Sequence, residues 1–157
     1  MRVKVIGAGL AGCEAALRLA NSGVAVDLYE MKPHRMSPAH SSTNFAELVC
    51  SNSLKASRID SAAGLLKEEM RRLDSIVIKC ADATSVPAGG ALAVDRDKFA
   101  AMVTENIKNH PNIEMMDECV KKIPTEGVTI IATGHLTDDA LAEDIKKALG
   151  SEYLSFF

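Results

Sequence analysis

The chain has 157 residues, 47% of them hydrophobic, which is enough for one apolar core and short for two independent domains. Its formal charge of −3 excludes a global basic field of the kind that announces nucleic-acid binding. Four cysteines, Cys13, Cys50, Cys80 and Cys119, lie far apart and without the paired spacing of zinc or redox motifs, so free thiols and no metal site are expected.

Arg2 and Lys4 lead into the apolar run Val3, Val5 and Ile6, which reads as a first strand. The glycine loop follows at once, leaving no room for a signal peptide, and no apolar run approaches membrane-spanning length; a soluble, cytoplasmic protein is the expectation. Gly7-Ala8-Gly9-Leu10-Ala11-Gly12 then opens a helical stretch through Ala15, Ala16, Leu17, Leu19 and Ala20 that Asn21-Ser22-Gly23 can end. Val24, Val26, Leu28 and Tyr29 form the next strand, and Glu30 closes it about 20 residues after the glycines. Strand, glycine turn, helix and acid together outline a dinucleotide site. Gly7 permits the tight turn, Gly9 lets backbone N–H groups approach a pyrophosphate, and Gly12 lets helix and strand pack closely. The phosphates would sit on the positive end of the helix, and the carboxylate of Glu30 would hold ribose hydroxyls and disfavour a 2′-phosphate. FAD or NAD therefore fits this site better than NADP.

Residues 31–58 are rich in Pro, Ser, His and Asn, without sustained period. A loop of that length is expected to be an active-site insertion, ordered around Phe45-Ala46-Glu47-Leu48-Val49-Cys50. From Asp60 a helix is predicted whose apolar face holds Ala62, Leu65, Leu66, Met70 and Leu73, with Lys67, Glu68, Arg71 and Arg72 opposite. Ile76, Val77 and Ile78 read as a short buried strand. Pro87-Ala88-Gly89-Gly90-Ala91 makes an exposed turn before Asp95, the predicted N-cap of a helix carrying Phe99, Met102, Val103, Asn106 and Ile107 that His110-Pro111 stops. Ile113–Met116 and Val128–Ala132 are the last two strands, the second too apolar for an edge. Thr133-Gly134 ends it, Thr137 is expected to cap the final helix, and Gly150 suits its C-terminal end. Strands alternating with helices imply a mostly parallel sheet covered on both faces, a Rossmann-like α/β fold.

Several blocks along the chain resemble one family. They are Glu30-Met31-Lys32-Pro33, Pro38-Ala39-His40, Phe45 through Leu54, Ala63 through Met70, Pro87 through Arg96, and Ala132-Thr133-Gly134. Together they are similar to the folate- and FAD-dependent tRNA uracil-5-methyltransferases, the TrmFO or Gid family. The resemblance implies a flavoenzyme that takes a methylene group from 5,10-methylenetetrahydrofolate, uses NAD(P)H as reductant through FAD, and methylates C5 of a T-loop uridine in tRNA. It assigns Gly7, Ala8, Gly9, Leu10, Ala11, Gly12 and Glu30 to the ADP half of FAD and Gly134 to a second cofactor turn. Cys50 becomes the active-site cysteine, with Ser51, Asn52 and His40 as candidate neighbours. Read alone, Cys50 after Leu48-Val49 is a small buried hydrophobe; thiolate nucleophilicity near neutral pH suits the chemistry the family implies. Cys13, Cys80 and Cys119 are given no role.

The chain departs from the pattern at His135, where proline is expected, and at Ser41-Ser42-Thr43-Asn44. The family is much longer, and the apolar tail Tyr153-Leu154-Ser155-Phe156-Phe157 is expected to be covered by further chain. Residues 1–157 thus read as an incomplete FAD-binding domain, the N-terminal piece of such an enzyme, with the tRNA and folate surfaces largely elsewhere. The alternatives are a non-catalytic or truncated FAD- or NAD-binding module, and a paralogue methylating ribosomal RNA.

Overall fold

Val3 and Val5 alternate with Arg2 and Lys4 along the first strand, β1 (Arg2–Ile6), and that alternation separates the two faces of the central sheet. In the computed structural model, which describes residues 2–150, the chain continues through α1 (Leu10–Asn21), β2 (Ala25–Glu30), β3 (Ser53–Ala56), α2 (Ala62–Arg72) and α3 (Ile76–Ala83). It then runs through β4 (Ser85–Val86), β5 (Ala91–Val94), α4 (Arg96–Lys108), β6 (Ile113–Asp117), β7 (Val128–Ile131), a 3-10 turn (Gly134–Leu136) and α5 (Asp139–Leu149). The expectation about the apolar tail falls on Tyr153–Phe157, outside the described residues.

Four parallel strands form the main sheet in the order β6-β2-β1-β7, with Val5 opposite Leu28 on one side and Ile130 on the other. β3, β5 and β4 form a second, antiparallel sheet. The core lies on one face of the main sheet. Val3, Val5, Val26 and Leu28 meet Cys13, Ala16 and Leu17 of α1, Phe99, Val103 and Ile107 of α4, and Val77 and Ala81 of α3. The same cluster takes in Leu92 and Val94 of β5 and Phe45 of the long loop. Among the described residues no helix is long and apolar enough to cross a membrane.

Five local expectations are corrected. Ile76-Val77-Ile78 starts a helix, because the Ser75 side chain caps it by accepting from the Ile78 N–H and the residues that follow extend it to Ala83. Within the supposedly irregular stretch, Ser53–Ala56 pairs with β5 as a strand. On α2 the buried residues are Gly64 and Lys67, whereas Leu65, Leu66 and Leu73 are exposed. A Cβ on Gly64 would come within 1.8 Å of the Arg58 carbonyl oxygen, so this side of α2 lies on the preceding loop. The Lys67 ammonium donates to the carbonyls of Ala56 and Ala63 at 3.1 and 3.0 Å, and burial pushes its pKa down.

β7 stands at the sheet edge among the described residues: Ile130 packs on the core, but Val128 and Ile131 are exposed. Thr137 bonds back to Gly134 and Thr133, and it is Asp138 that caps α5 by accepting from the Ala140 N–H at 3.0 Å.

The sheet's second face carries a charged patch among the described residues. There Lys4, Asp27 and Glu114 lie side by side across three strands, and Arg2 pairs with both acids. Lys4 reaches the carbonyl of Glu126 at 3.2 Å, so a connecting segment meets the face at this patch.

Candidate functional site

Where β1 ends, Gly7 takes a φ of +100°, which a side chain would strain, and turns the chain into α1. Gly12, one turn into the helix, is buried against that same turn: a Cβ there would sit 1.8 Å from the Gly7 carbonyl oxygen. Backbone therefore lies directly on backbone, and only glycine fits. Gly9 is the N-cap of α1, is exposed, and has nothing within 4 Å of where a Cβ would stand. No side chain caps this helix end, so its first N–H groups face the space beyond Gly9.

That space is a cleft of about 350 Å³. Gly7, Ala8, Gly9, Leu10 and Ala11 line it together with Glu30, Lys32, Ala132, Thr133 and Gly134, and Ala132 and Thr133 lie directly against Gly7. Gly134 adopts a φ of +65° in the turn after β7.

Glu30, only 8% exposed, closes β2 with its carboxylate turned into the glycine loop. One oxygen accepts from the Ala8 N–H at 2.9 Å and the other from the Lys32 N–H at 3.0 Å. A carboxylate has about four acceptor positions, so both oxygens keep capacity for the hydroxyls of a sugar.

Lys32 is a buried ammonium that the sequence reading passed over. It donates to the carbonyls of Ser42 and Asn44 and lies 4.0 Å from Glu47. Glu47 in turn accepts from the Ser41 N–H at 3.0 Å and hydroxyl at 2.9 Å, and from the Ser42 N–H at 3.2 Å. Its carboxyl pKa is lowered: burial acts upward, but these bonds and the Lys32 charge outweigh it. The Ser41–Asn44 stretch that departs from the family pattern is thus the part these two residues hold.

His40 also lines the cleft, its Nδ1 2.5 Å from the Ser37 hydroxyl. Burial, followed by the nearby Lys32 charge, pushes its pKa below the usual 6.5. Asp138 and Cys119 also join the lining, and Arg35 pairs with Asp138 and approaches the Cys119 thiol at 3.8 Å. Cys119, Glu47, Lys32 and Asp138 lack any motif-like spacing to one another; only Lys32, two residues past Glu30, had a local signal.

Cys50, Ser51 and Asn52 are exposed and do not line the cleft, although Val49 does. The small-buried-hydrophobe reading of Cys50 does not hold; it describes Cys13 instead, whose thiol burial pushes up to about 12. The loop carrying Cys50 is tied to the glycine turn nearby, where the Ala46 N–H donates to the Ala8 carbonyl at 2.9 Å. Of the residues singled out from sequence, the structure therefore brings together Gly7 to Ala11, Glu30, His40 and Gly134 around one cleft. Gly12 supports it from behind, and Cys50 to Asn52 lie outside it.

The sequence model of the glucose inhibited division protein A family matches residues 2–157. A methylenetetrahydrofolate–tRNA-(uracil-5-)-methyltransferase, TrmFO, of Lactobacillus johnsonii is 59% identical over 155 residues, covering 99% of this chain and 35% of its own length. The structure of Aquifex aeolicus GidA superposes with a TM-score of 0.68 at 20% identity, over 85% of this chain and 25% of that one. CtdE, solved with FAD and a substrate, gives a TM-score of 0.54 at 14% identity, over 86% of this chain and 38% of its own. These last two likenesses concern the fold.

Proposed function

The chain belongs to the glucose inhibited division protein A family, and from that premise we propose that it forms the cofactor-holding part of a flavin- and folate-dependent tRNA uracil-5-methyltransferase. It spans 35% of the length of the curated relative from Lactobacillus johnsonii, so the complete activity requires the full-length protein. On this reading residues 1–157 are an incomplete FAD-binding domain and residues 31–58 its active-site insertion. The enzyme works in the cytoplasm on a T-loop uridine.

The observation that carries the cofactor assignment is the buried Glu30 carboxylate bonded to the glycine loop beside an uncapped helix end, with open space at Gly9. The residues fit the ADP half of FAD. The N–H groups of the first turn of α1 hold the diphosphate at the positive end of the helix. Glu30 accepts the ribose hydroxyls, and its negative charge opposes a 2′-phosphate at the same place. Gly134, in the turn after β7 that lines the same cleft, leaves backbone room for the rest of the cofactor. When bound, the flavin supplies the reducing equivalents, drawn from NAD(P)H, that bring a one-carbon unit from 5,10-methylenetetrahydrofolate to the methyl level.

Cys50 is the nucleophile of this scheme. Its exposure leaves the sulfur open to an RNA base or to the carbon being transferred, as its buried counterparts Cys13 and Cys80 are not. Uracil is electron-poor at C6, and thiolate addition there makes C5 nucleophilic. His40, whose pKa burial and the Lys32 charge push down, lines the cleft and is the candidate proton acceptor.

The test uses the full-length protein with reduced-folate donor, NAD(P)H and unmodified tRNA transcript. Flavin absorbance in the purified protein and ribothymidine in the product support the reading. Flavin without any RNA methylation would leave a dinucleotide-binding module, and ribothymidine in ribosomal RNA alone would reassign the substrate.

A further inference from the structure

Arg96 is an exposed arginine in the first turn of α4, at the positive end of that helix, where a cation is locally unfavourable. Its guanidinium Nη1 donates to the carbonyl of Leu48 at 3.3 Å. Two residues earlier, the Val94 N–H donates to the carbonyl of Asn52 at 2.9 Å. The β5–α4 corner therefore grips the chain at 48 and at 52, and Cys50 is the midpoint.

The corner itself is firm. The Asp95 N–H donates to the Thr84 carbonyl at 2.9 Å, and the Asp95 side chain accepts from the Lys98 N–H at 3.1 Å. Farther along α4, the Thr104 hydroxyl oxygen accepts from the Phe45 N–H at 2.8 Å, so the other end of the same loop hangs on the same helix. Of these three fastenings of the loop, the one at Asn52 is a backbone bond and the one at Phe45 is buried. The bond from Arg96 is the one made by an exposed side chain, and it is the nearest to Cys50 on its N-terminal side.

We propose that Arg96 is a positioning residue that sets the place of Cys50 through the Leu48 carbonyl. This rests on the reading of Cys50 as the reactive thiol. Losing one charge-assisted bond leaves the loop a family of positions in place of one, and productive approach of the sulfur becomes rarer. Because Arg96 is exposed and makes no part of the core, its replacement leaves the fold intact.

The experiment compares Arg96→Met, Arg96→Lys and Cys50→Ala in the full-length protein. Arg96→Met lowers kcat about fivefold, the scale of a single such bond, with KM for the RNA, flavin content and melting temperature unchanged. Arg96→Lys, which can still donate to the carbonyl, recovers most of the loss. A kcat for Arg96→Met equal to that of the unaltered protein, with Cys50→Ala inactive, overturns the proposal while leaving the reactive-thiol reading standing. A rise in KM for the RNA with kcat unchanged overturns it too, making Arg96 an RNA contact. Full activity in Cys50→Ala removes the reactive-thiol reading, and the positioning role with it.

Discussion

At the Gly7–Gly12 turn, backbone rests on backbone with no slack, whereas around Cys50 the chain is exposed and is gripped from one corner by two hydrogen bonds. The difference separates two kinds of functional element. A cofactor turn is built by steric necessity where Gly7 and Gly12 meet backbone, so those two residues cannot be exchanged. A reactive loop is held by discrete polar ties that can be cut singly. Mutations at the close-packed glycines should therefore act on stability, and mutations around Cys50 on turnover.

The sharpest way to break this contrast is at Gly12. Gly12→Ala places a methyl 1.8 Å from a carbonyl oxygen that has no freedom to move, and should cost more than about 3 kcal/mol. Denaturant unfolding of the full-length protein should show the shift, and a variant with an unchanged midpoint would show that the turn is not close-packed. Glu30→Ala comes next. It strips the Ala8 and Lys32 N–H groups of their acceptor, and should cost roughly 2 kcal/mol and deplete bound flavin. A variant that keeps its flavin argues against the ribose assignment.

A smaller effect is expected at His40, which lines the cleft. Its folded-state pKa lies below the usual 6.5, so the unfolded chain binds the proton more readily. The stability this group allows is complete above 6.5 and declines as pH falls below it. His40→Gln should flatten that part of the pH–stability profile, and an unaltered profile would assign the decline to other groups. Smallest in stability is Cys50→Ala, within about 0.5 kcal/mol of the parent because the side chain is exposed, although methyl transfer should be lost. A melting temperature well below the parent's would place Cys50 in the packing after all.

The same contrast explains what was legible in the sequence. β1, α1 and β2 follow from period and from glycines whose steric role is local, and the acid at Glu30 is found by counting from them. The caps of α4 and the glycine at the end of α5 are likewise local signals. Ile76-Val77-Ile78 misled because three apolar residues fit a buried strand or a buried helix equally, and the Ser75 cap is what decides. α2 misled because close approach at Gly64 outweighs the leucines, and no periodicity encodes that contact. Lys32, Glu47, Asp138 and Cys119 converge on the cleft from separate segments, so their partnership exists only after folding.

The measurement closest to the central claim is FAD affinity in Gly9→Val. That side chain would enter only the space assigned to the diphosphate, since nothing of the protein lies within 4 Å of its Cβ. With a cofactor gripped at the start of α1, the flavin-free full-length variant should melt as the parent does and bind FAD about a hundredfold more weakly, ~2.7 kcal/mol. FAD affinity equal to the parent's would contradict the account.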